Sequence, residues 1–450
     1  MDIACVIFCI AMFFVGKKTE KKVINPLSVF CLLWGIVIFL SNIHLFNLYL
    51  PKESTYTILI FGIISFVFGY YATKILIGNK QFKFRIKVAS KRYRCNAKVA
   101  SKRYRCNAYK INYKILYLAF LICIPFYIKD LVSVISSIGF GNSLSVIQGL
   151  MQGNDDVFTR SAIESTVLLL FVHPFSWISC PIVAVDFWMG KRDIKLLILQ
   201  IVTILMRIFT TGGRAVFIQF MFYFFCVFML SRSNDSKSLY KEIRVKEKKN
   251  KRLFLMICVV GLAILALLTY SRAGQAAIRT IYYDFAMPPI MFEKWIDTVK
   301  EYPKGYGMAS LNGFLYPIDY ILRNSVHVSL PETFKKIYDL IQLTDTEWKW
   351  IGNGVIANAY ISAFCIFYID GRQVGVILAS MIYGFICRNT YSKVSNNYSV
   401  KSVAVFCLVL VGVFYTFGTF EFSQYSYVLA LIYIRFFFKK TSSNVIESRK

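Results

Sequence analysis

The sequence predicts an all-α, polytopic integral membrane protein with about 11–12 transmembrane helices and one long outer loop. Three observations carry that prediction. Of 450 residues, 57% are hydrophobic and 17% aromatic, and the mean hydropathy is +0.54, more apolar than the surface of a soluble chain of this size tolerates. Apolar runs approaching the roughly 20 residues that cross about 30 Å of hydrocarbon recur from the first residues to the last. The formal charge of +29 is concentrated in two loops, as expected where basic residues mark the side that stays in the cytoplasm. No separate soluble domain is left over, so 1–450 reads as a single membrane domain.

Taken in chain order, spans are expected near 3–15, 26–43, 56–77, 112–128, 166–188, 196–209, 215–230, 253–270, 354–369, 374–387, 402–419 and 423–438. The first run ends at Gly16-Lys17-Lys18 without a small-residue cleavage site, and reads as a retained helix rather than a signal peptide. The first basic loop, 78–114, holds thirteen Lys or Arg and no acid between Lys80 and Lys114. The second, 231–252, holds nine basic residues against three acids between Arg232 and Arg252. With both loops inside, the N-terminus, the 129–165 loop, Arg214 and the long 271–353 loop fall outside. Twelve full crossings would then leave Lys439 and Lys440 outside as well, against the same rule, so a piece near 300–375 is expected not to cross fully. The candidates are Gly305–Pro317 and the short span before Asp370, as a re-entrant or surface-lying segment.

Topology and anionic headgroups account for the positive loops, so nucleic acid is not an expected partner. An 11-residue copy, KVASKRYRCNA, stands twice in tandem at 87–97 and 98–108 and reads as a duplication of coding sequence. Ten of the twelve cysteines lie in or beside apolar runs, the other two, Cys95 and Cys106, lie in the first basic loop, and there is no C-x-x-C; no disulfide framework is implied. Three separated histidines, His44, His173 and His327, support no metal site, and no P-loop or G-x-G-x-x-G is present. No metal and no cofactor is expected.

Four outward elements carry candidate chemistry. The first is Thr210-Thr211-Gly212-Gly213-Arg214, a guanidinium beside two glycines that allow close backbone approach. The second opens the long loop with Arg272, Gln275, Arg279, Tyr282, Tyr283 and Asp284; a continuous helix would put Arg272 and Arg279 on one face. Guanidinium is permanently charged and forked, which suits phosphate oxygens. The third is Tyr306 to Pro317, with Asn312 inside it, an aromatic and amide stretch suited to sugar. The fourth is Asn358, Tyr360, Tyr368, Asp370 and Gly375, which faces outward only if the short span there is re-entrant. Trp295, Trp348 and Trp350 read as interfacial anchors. Asp155, Asp156, Asp284, Glu293, Asp297, Asp319 and His327 are all candidates for a general base, and spacing selects none of them. Asp345-Thr346-Glu347 reads as a chance D-x-E.

In TTGGR at 210–214, the arginine-bearing 271–279, YGMASLNGFLYP at 306–317 and NAYISAFCIFYIDGRQVG at 358–375, the chain resembles the O-antigen polymerase family, the Wzy-type oligosaccharide repeat-unit polymerases. It departs from the family's frequent Asp-Phe-Gly with a second Gly, having Asp370-Gly371-Arg372 with Gly375, and the paired R-x10-G pattern of some members is absent. The resemblance implies a multi-pass protein of the bacterial inner membrane that passes a growing chain from undecaprenyl pyrophosphate to a hydroxyl of a new lipid-linked repeat unit. On that reading Arg214, Arg272, Arg279 and Asp284 are catalytic. Gly212, Gly213, Gln275, Tyr306, Asn312, Asn358 and Asp370 bind substrate. The partners are the undecaprenyl-pyrophosphate-linked oligosaccharide and membrane lipids, with a chain-length regulator and a flippase as candidates. The competing readings are a flippase or transporter for the lipid-linked oligosaccharide, and an O-antigen ligase.

Overall fold

The computed structural model describes residues 2–91, 109–139, 160–235 and 241–440, with isolated positions between 144 and 158. Asp155, Asp156 and most of the tandem repeat lie outside the described residues. Helices dominate: α1 (Asp2–Glu20), α2 (Pro26–Ile43), α3 (Glu53–Lys91), α4 (Tyr113–Ile138), α5 (Ala162–Met189), α6 (Ile194–Thr211), α7 (Ala215–Asp235) and α8 (Lys241–Ala273) precede a set of shorter helices. These are α9 (Ala277–Ala286), α10 (Pro288–Glu301), α11 (Asn312–Val326) and α12 (Glu332–Thr346), and the chain then returns to the bundle through α13 (Ser362–Asn396), α14 (Val400–Phe414) and α15 (Tyr425–Tyr433). Among the described residues, eight helices are long and apolar enough to cross a membrane.

Local sequence explains the helix ends. Asn25 accepts from the Ser28 amide with Pro26 at the first helical position, starting α2. Asp193 accepts from Lys195 and Leu196 at the start of α6, and Gly212 closes that helix in the left-handed region at φ 62°. Ser399 and Ser402 cap each other at the start of α14. Within α5 one turn, Leu168–Val172, widens to a π-helix just before Pro174, whose ring cannot accommodate a regular preceding turn.

Two apolar clusters form the interior. One joins α1, α2, α3 and α13 with α9, α10 and α12 of the 271–353 segment. The other joins α4, α5, α6, α7, α14 and α15. Helix α14 is common to both, through Val409 and Val413 on one side and Val403, Phe406 and Leu410 on the other. The tightest crossing is α3 on α13. A Cβ on Gly69 would lie 1.9 Å from the Met381 carbonyl oxygen, and one on Gly384 2.1 Å from that of Phe66. Small residues on both helices let the backbones meet, as is common where helices associate in lipid.

The expected spans at 354–369 and 374–387 meet as two helical segments, described together as α13. α13 runs through both and is kinked at Gly371 and Arg372, whose φ/ψ are not helical; residues 355–357 instead form a strand, β3 (Val355–Ala357), paired with β2 (Lys349–Gly352). The Gly305–Pro317 stretch is a tight loop leading into α11, and it sits against the kink. A second ribbon pairs β1 (Tyr109–Ile111), which follows the first basic loop, with β4 (Phe438–Lys440), Lys110 opposite Lys439. The end of the described chain therefore stands at the same end of the bundle as the first basic loop. Trp295, expected at an interface, is fully buried, with the Lys349 ammonium 4.4 Å from its ring centroid; Trp348 and Trp350 are exposed. Single cysteines placed at Lys110, Lys439 and Tyr306 in a cysteine-free background test the arrangement. A membrane-impermeant maleimide applied to sealed vesicles should label the first two from one side and the third from the opposite side.

Candidate functional site

The turn between α6 and α7 places Arg214 at the helix ends. Gly212 supplies the left-handed residue that reverses the chain, and Gly213 donates to the Thr211 hydroxyl at 3.2 Å. Their role is to make the turn. Arg214 is buried at 6% exposure. Its Nη1 donates to Thr269 Oγ1 at 3.0 Å and its Nη2 to an Asp284 carboxylate oxygen. The Tyr360 hydroxyl stands close enough to the same carboxylate to interact with it. Arg214 is thus paired with Asp284, and the charge of the half-buried Arg272 stands close enough to bear on both.

Arg279 does not join them. A 3-10 turn, Gly274–Ala276, separates α8 from α9, so the continuous helical face expected for Arg272 and Arg279 is broken. Arg279 is exposed, 6.0 Å from the Tyr283 ring centroid. Gln275 lies in the 3-10 turn and is also exposed.

A second polar centre lies at the α13 kink. Asp370 Oδ1 accepts from the Gly307 and Ala309 amides at 2.9 Å, and Oδ2 accepts from the Ser310 amide at 2.9 Å and the Ser310 hydroxyl. Gly305 and Tyr306 donate to the Ile369 and Asp370 carbonyls. Arg372 donates to the Tyr302 carbonyl at 2.7 Å and lies over the carbonyls ending the upper helix, Tyr368 and Ile369, where a cation is favoured. Asp370 is a clamp with its acceptors filled. Tyr306 projects outward at 82% exposure. Asn312 is buried, donating to the Ser423 carbonyl at 2.9 Å. Asn358 donates to the Asp345 carbonyl at 3.2 Å.

Most of the expected bases are engaged in structure. Glu293 accepts from the Lys52 amide and Thr55 hydroxyl, Asp297 pairs with Lys300, and Asp319 pairs with Arg323 and accepts from the Leu330 amide. His327 closes α11 in the left-handed region. Two acids outside that set are better placed. Asp345, at the end of α12, is exposed, and desolvation by the neighbouring protein pushes its carboxyl up to about 6. Glu421 is buried at 6% exposure, and burial, followed by the neighbouring Asp345 charge, pushes it up to about 8. Segment 358–360 links these acids to the arginines, since Asn358 touches Asp345 and Tyr360 touches Asp284. Backbone strain gathers here: Tyr306, Tyr360, Ser362 and Arg372 all have positive φ, between 49° and 71°, conformations that cost about 1–3 kcal/mol each and collect at functional sites.

Sequence reasoning missed both acids. Glu421 had a legible signal, an acid inside the aromatic FGTFEFSQY between two apolar helices. Asp345 was visible in the D-x-E at 345–347 and set aside as chance, because what raises its carboxyl is the desolvation of the fold rather than its neighbours in sequence. Compared with protein-family models, curated proteins and solved structures, the chain matches none.

Removing Asp284 leaves the Arg214 guanidinium buried without its counter-charge, which costs about 3–5 kcal/mol. Asp284→Ala is expected to lower the thermal unfolding temperature of the purified protein in detergent, whereas Arg279→Ala, at an exposed position, leaves it unchanged.

Proposed function

We propose that this chain is an oligosaccharide repeat-unit polymerase of the O-antigen type, acting at the outer face of the bacterial inner membrane. It transfers a glycan from a polyprenyl pyrophosphate donor to a hydroxyl of a lipid-linked acceptor. The observation that carries this reading is the Arg214, Arg272 and Asp284 cluster. It pairs Arg214, just before α7, with Asp284 of α9, and brings the Arg272 charge at the end of α8 to bear on both. Such a site suits a departing pyrophosphate, whose developing charge is stabilised by donors already in place. On this reading α1, α7 and α15 cross as well as the eight long apolar helices, eleven crossings in all. An outer N-terminus then leaves the chain end inside with both basic loops, which removes the conflict that twelve crossings create.

In this reading Arg214 and Arg272 hold the leaving pyrophosphate, Asp284 and Tyr360 fix the Arg214 fork, and Asp345 takes the proton of the acceptor hydroxyl. Arg279, exposed against Tyr283, contributes to substrate approach rather than to the leaving group. No nucleotide sugar enters the scheme.

In cells lacking the gene, plasmid-borne wild type should restore a lipopolysaccharide ladder on a gel, and Arg214→Ala or Arg272→Ala should yield core plus a single repeat unit with the protein still in the membrane. Arg214→Lys keeps the charge and loses the fork, so it should also fail. Wild-type ladders from the alanine variants would exclude the pyrophosphate role. Loss of every O-antigen band on deletion, the single unit included, would point to flipping or ligation instead.

The base has its own signature. A carboxylate at about 6 is protonated and inactive below that pH, so polymerisation in isolated membranes should rise as pH increases through about 6. Asp345→Asn is expected to lower the rate by roughly 10²–10⁴-fold and to remove that limb. An unchanged profile in the variant would assign the proton transfer elsewhere.

A further inference from the structure

The helices of the 271–353 segment do not all turn the same kind of face outward. α12 buries Phe334, Ile337, Leu340 and Ile341 and exposes Glu332, Lys335, Lys336, Asp339 and Gln342, the pattern of a helix beside water. α11 is reversed. It turns Asn312, Gly313, Pro317 and Asp319 inward, and its outward residues are Leu311, just before the helix, and Phe314, Ile318 and Ile321 along it, exposed at 50%, 39%, 50% and 45%. Their spacing of three, four and three residues puts them on one helical face.

The level at which α11 lies follows from α13. Below the kink, α13 carries no charge from Gln373 to Cys387. Arg388 then pairs with Glu20 at the end of α1 and donates to Tyr70, on the part of α3 that leads into the first basic loop. Asp370 to Arg388 spans about 27 Å at 1.5 Å per residue, close to the roughly 30 Å of a hydrocarbon core. Asp370 and the 305–311 loop bonded to it therefore stand at the outer limit of that core. From there α11 runs across the outer ends of two crossing helices. Asn312 donates to the Ser423 carbonyl just before α15 at 2.9 Å, and the Tyr320 hydroxyl lies 3.2 Å from that of Thr166 near the start of α5. Leu311 also joins the exposed face of α11 to the apolar flank of α13. It stands at the mouth of a groove of about 620 Å³, lined by Phe420 and Phe422, that descends α13 past Val374, Leu378 and Ile382, all three of them exposed.

We propose that α11 is an interfacial helix, with its Leu311, Phe314, Ile318 and Ile321 face embedded in the outer leaflet of the bilayer. A helix apolar on one side and polar on the other is the form that lies in the plane of an interface, and the bilayer is what surrounds the bundle at this depth. The polar side is satisfied by protein: Asn312 donates to Ser423, and Asp319 pairs with Arg323 and accepts from the Leu330 amide. α12 packs beside α11 through Tyr338, stacked on Tyr316 at 4.9 Å between centroids, and its charged face turns to water. Anchored in this way, α11 holds the 305–311 loop and the α13 kink at a fixed depth. The placement is independent of the polymerase reading, since the test reads contact with lipid and not activity.

The test places single spin-labelled cysteines at Phe314, Ile318 and Ile321 in the full-length, otherwise cysteine-free chain, reconstituted into phospholipid vesicles. A label at Leu378 is the lipid reference and one at Lys335 the water reference. Relaxation by oxygen, which concentrates in lipid, is expected to exceed relaxation by a water-soluble nickel chelate at 314, 318 and 321, as at 378, with the order reversed at 335. Each label replaces an exposed side chain, and the three positions report separately, so a variant that fails to fold leaves the other two to decide. Nickel exceeding oxygen at these positions would put the face in water. Protection from both relaxants, with dipolar broadening between labels, would give it to a second copy of the chain, and protection without broadening to another protein surface. Each of these three results overturns the proposal.

Discussion

The Asp370 carboxylate takes four hydrogen bonds from a loop some 60 residues earlier in the chain, and the arrangement above the bundle hangs on that exchange. A kink in α13 frees carbonyls at 368–370, and a helix interrupted at membrane depth survives only if its exposed backbone finds partners. The 305–311 loop donates to them from one side and the Arg372 guanidinium from below. With that junction made, α11 is pinned by Asn312 to the 420–424 turn, so the turn carrying Glu421 is held between the outer layer and the bundle.

Two alternating side chains on that turn separate the two sites. Phe420 and Phe422 line the α13 groove, while Glu421 is directed away from it and senses Asp345. The arginine cluster, the acids and the groove therefore share one short segment. Tyr360 extends the connection: its hydroxyl reaches Asp284 and its ring stacks on Phe417, 5.5 Å between centroids. A displacement of 415–424 would change both sites together.

The sequence made the class legible because hydropathy and charge bias are properties of single segments, and membrane helices satisfy their backbone within one segment. Arg214, Arg272 and Asp284 were readable as unusual charges at the ends of apolar runs, and they do come together. Arg279 was misplaced because a helical period was carried across Gly274, where the chain turns more tightly. Asp370 was read as a binding group although it is a structural clamp, since a saturated and a free carboxylate look the same in sequence. The two short spans were read as separate because Gly371 and Arg372 break the apolar run, and the helix is interrupted at those same residues. Asp345 was set aside as a chance D-x-E because the desolvation that raises its carboxyl comes from the folded protein, not from the sequence around it.

The contact of Gly69 with Met381 bears on how the molecule is assembled. These residues are roughly 300 positions apart, and a ribosome adds about 5–20 residues per second. Helix α3 therefore enters the membrane tens of seconds before its partner exists, presenting a bare strip of backbone to lipid in the interval. The half of the bundle built from the first three helices is an open-sided intermediate for most of synthesis, closed only when α13 arrives. The chain's order of manufacture makes the crossing that seals this half one of the last to form.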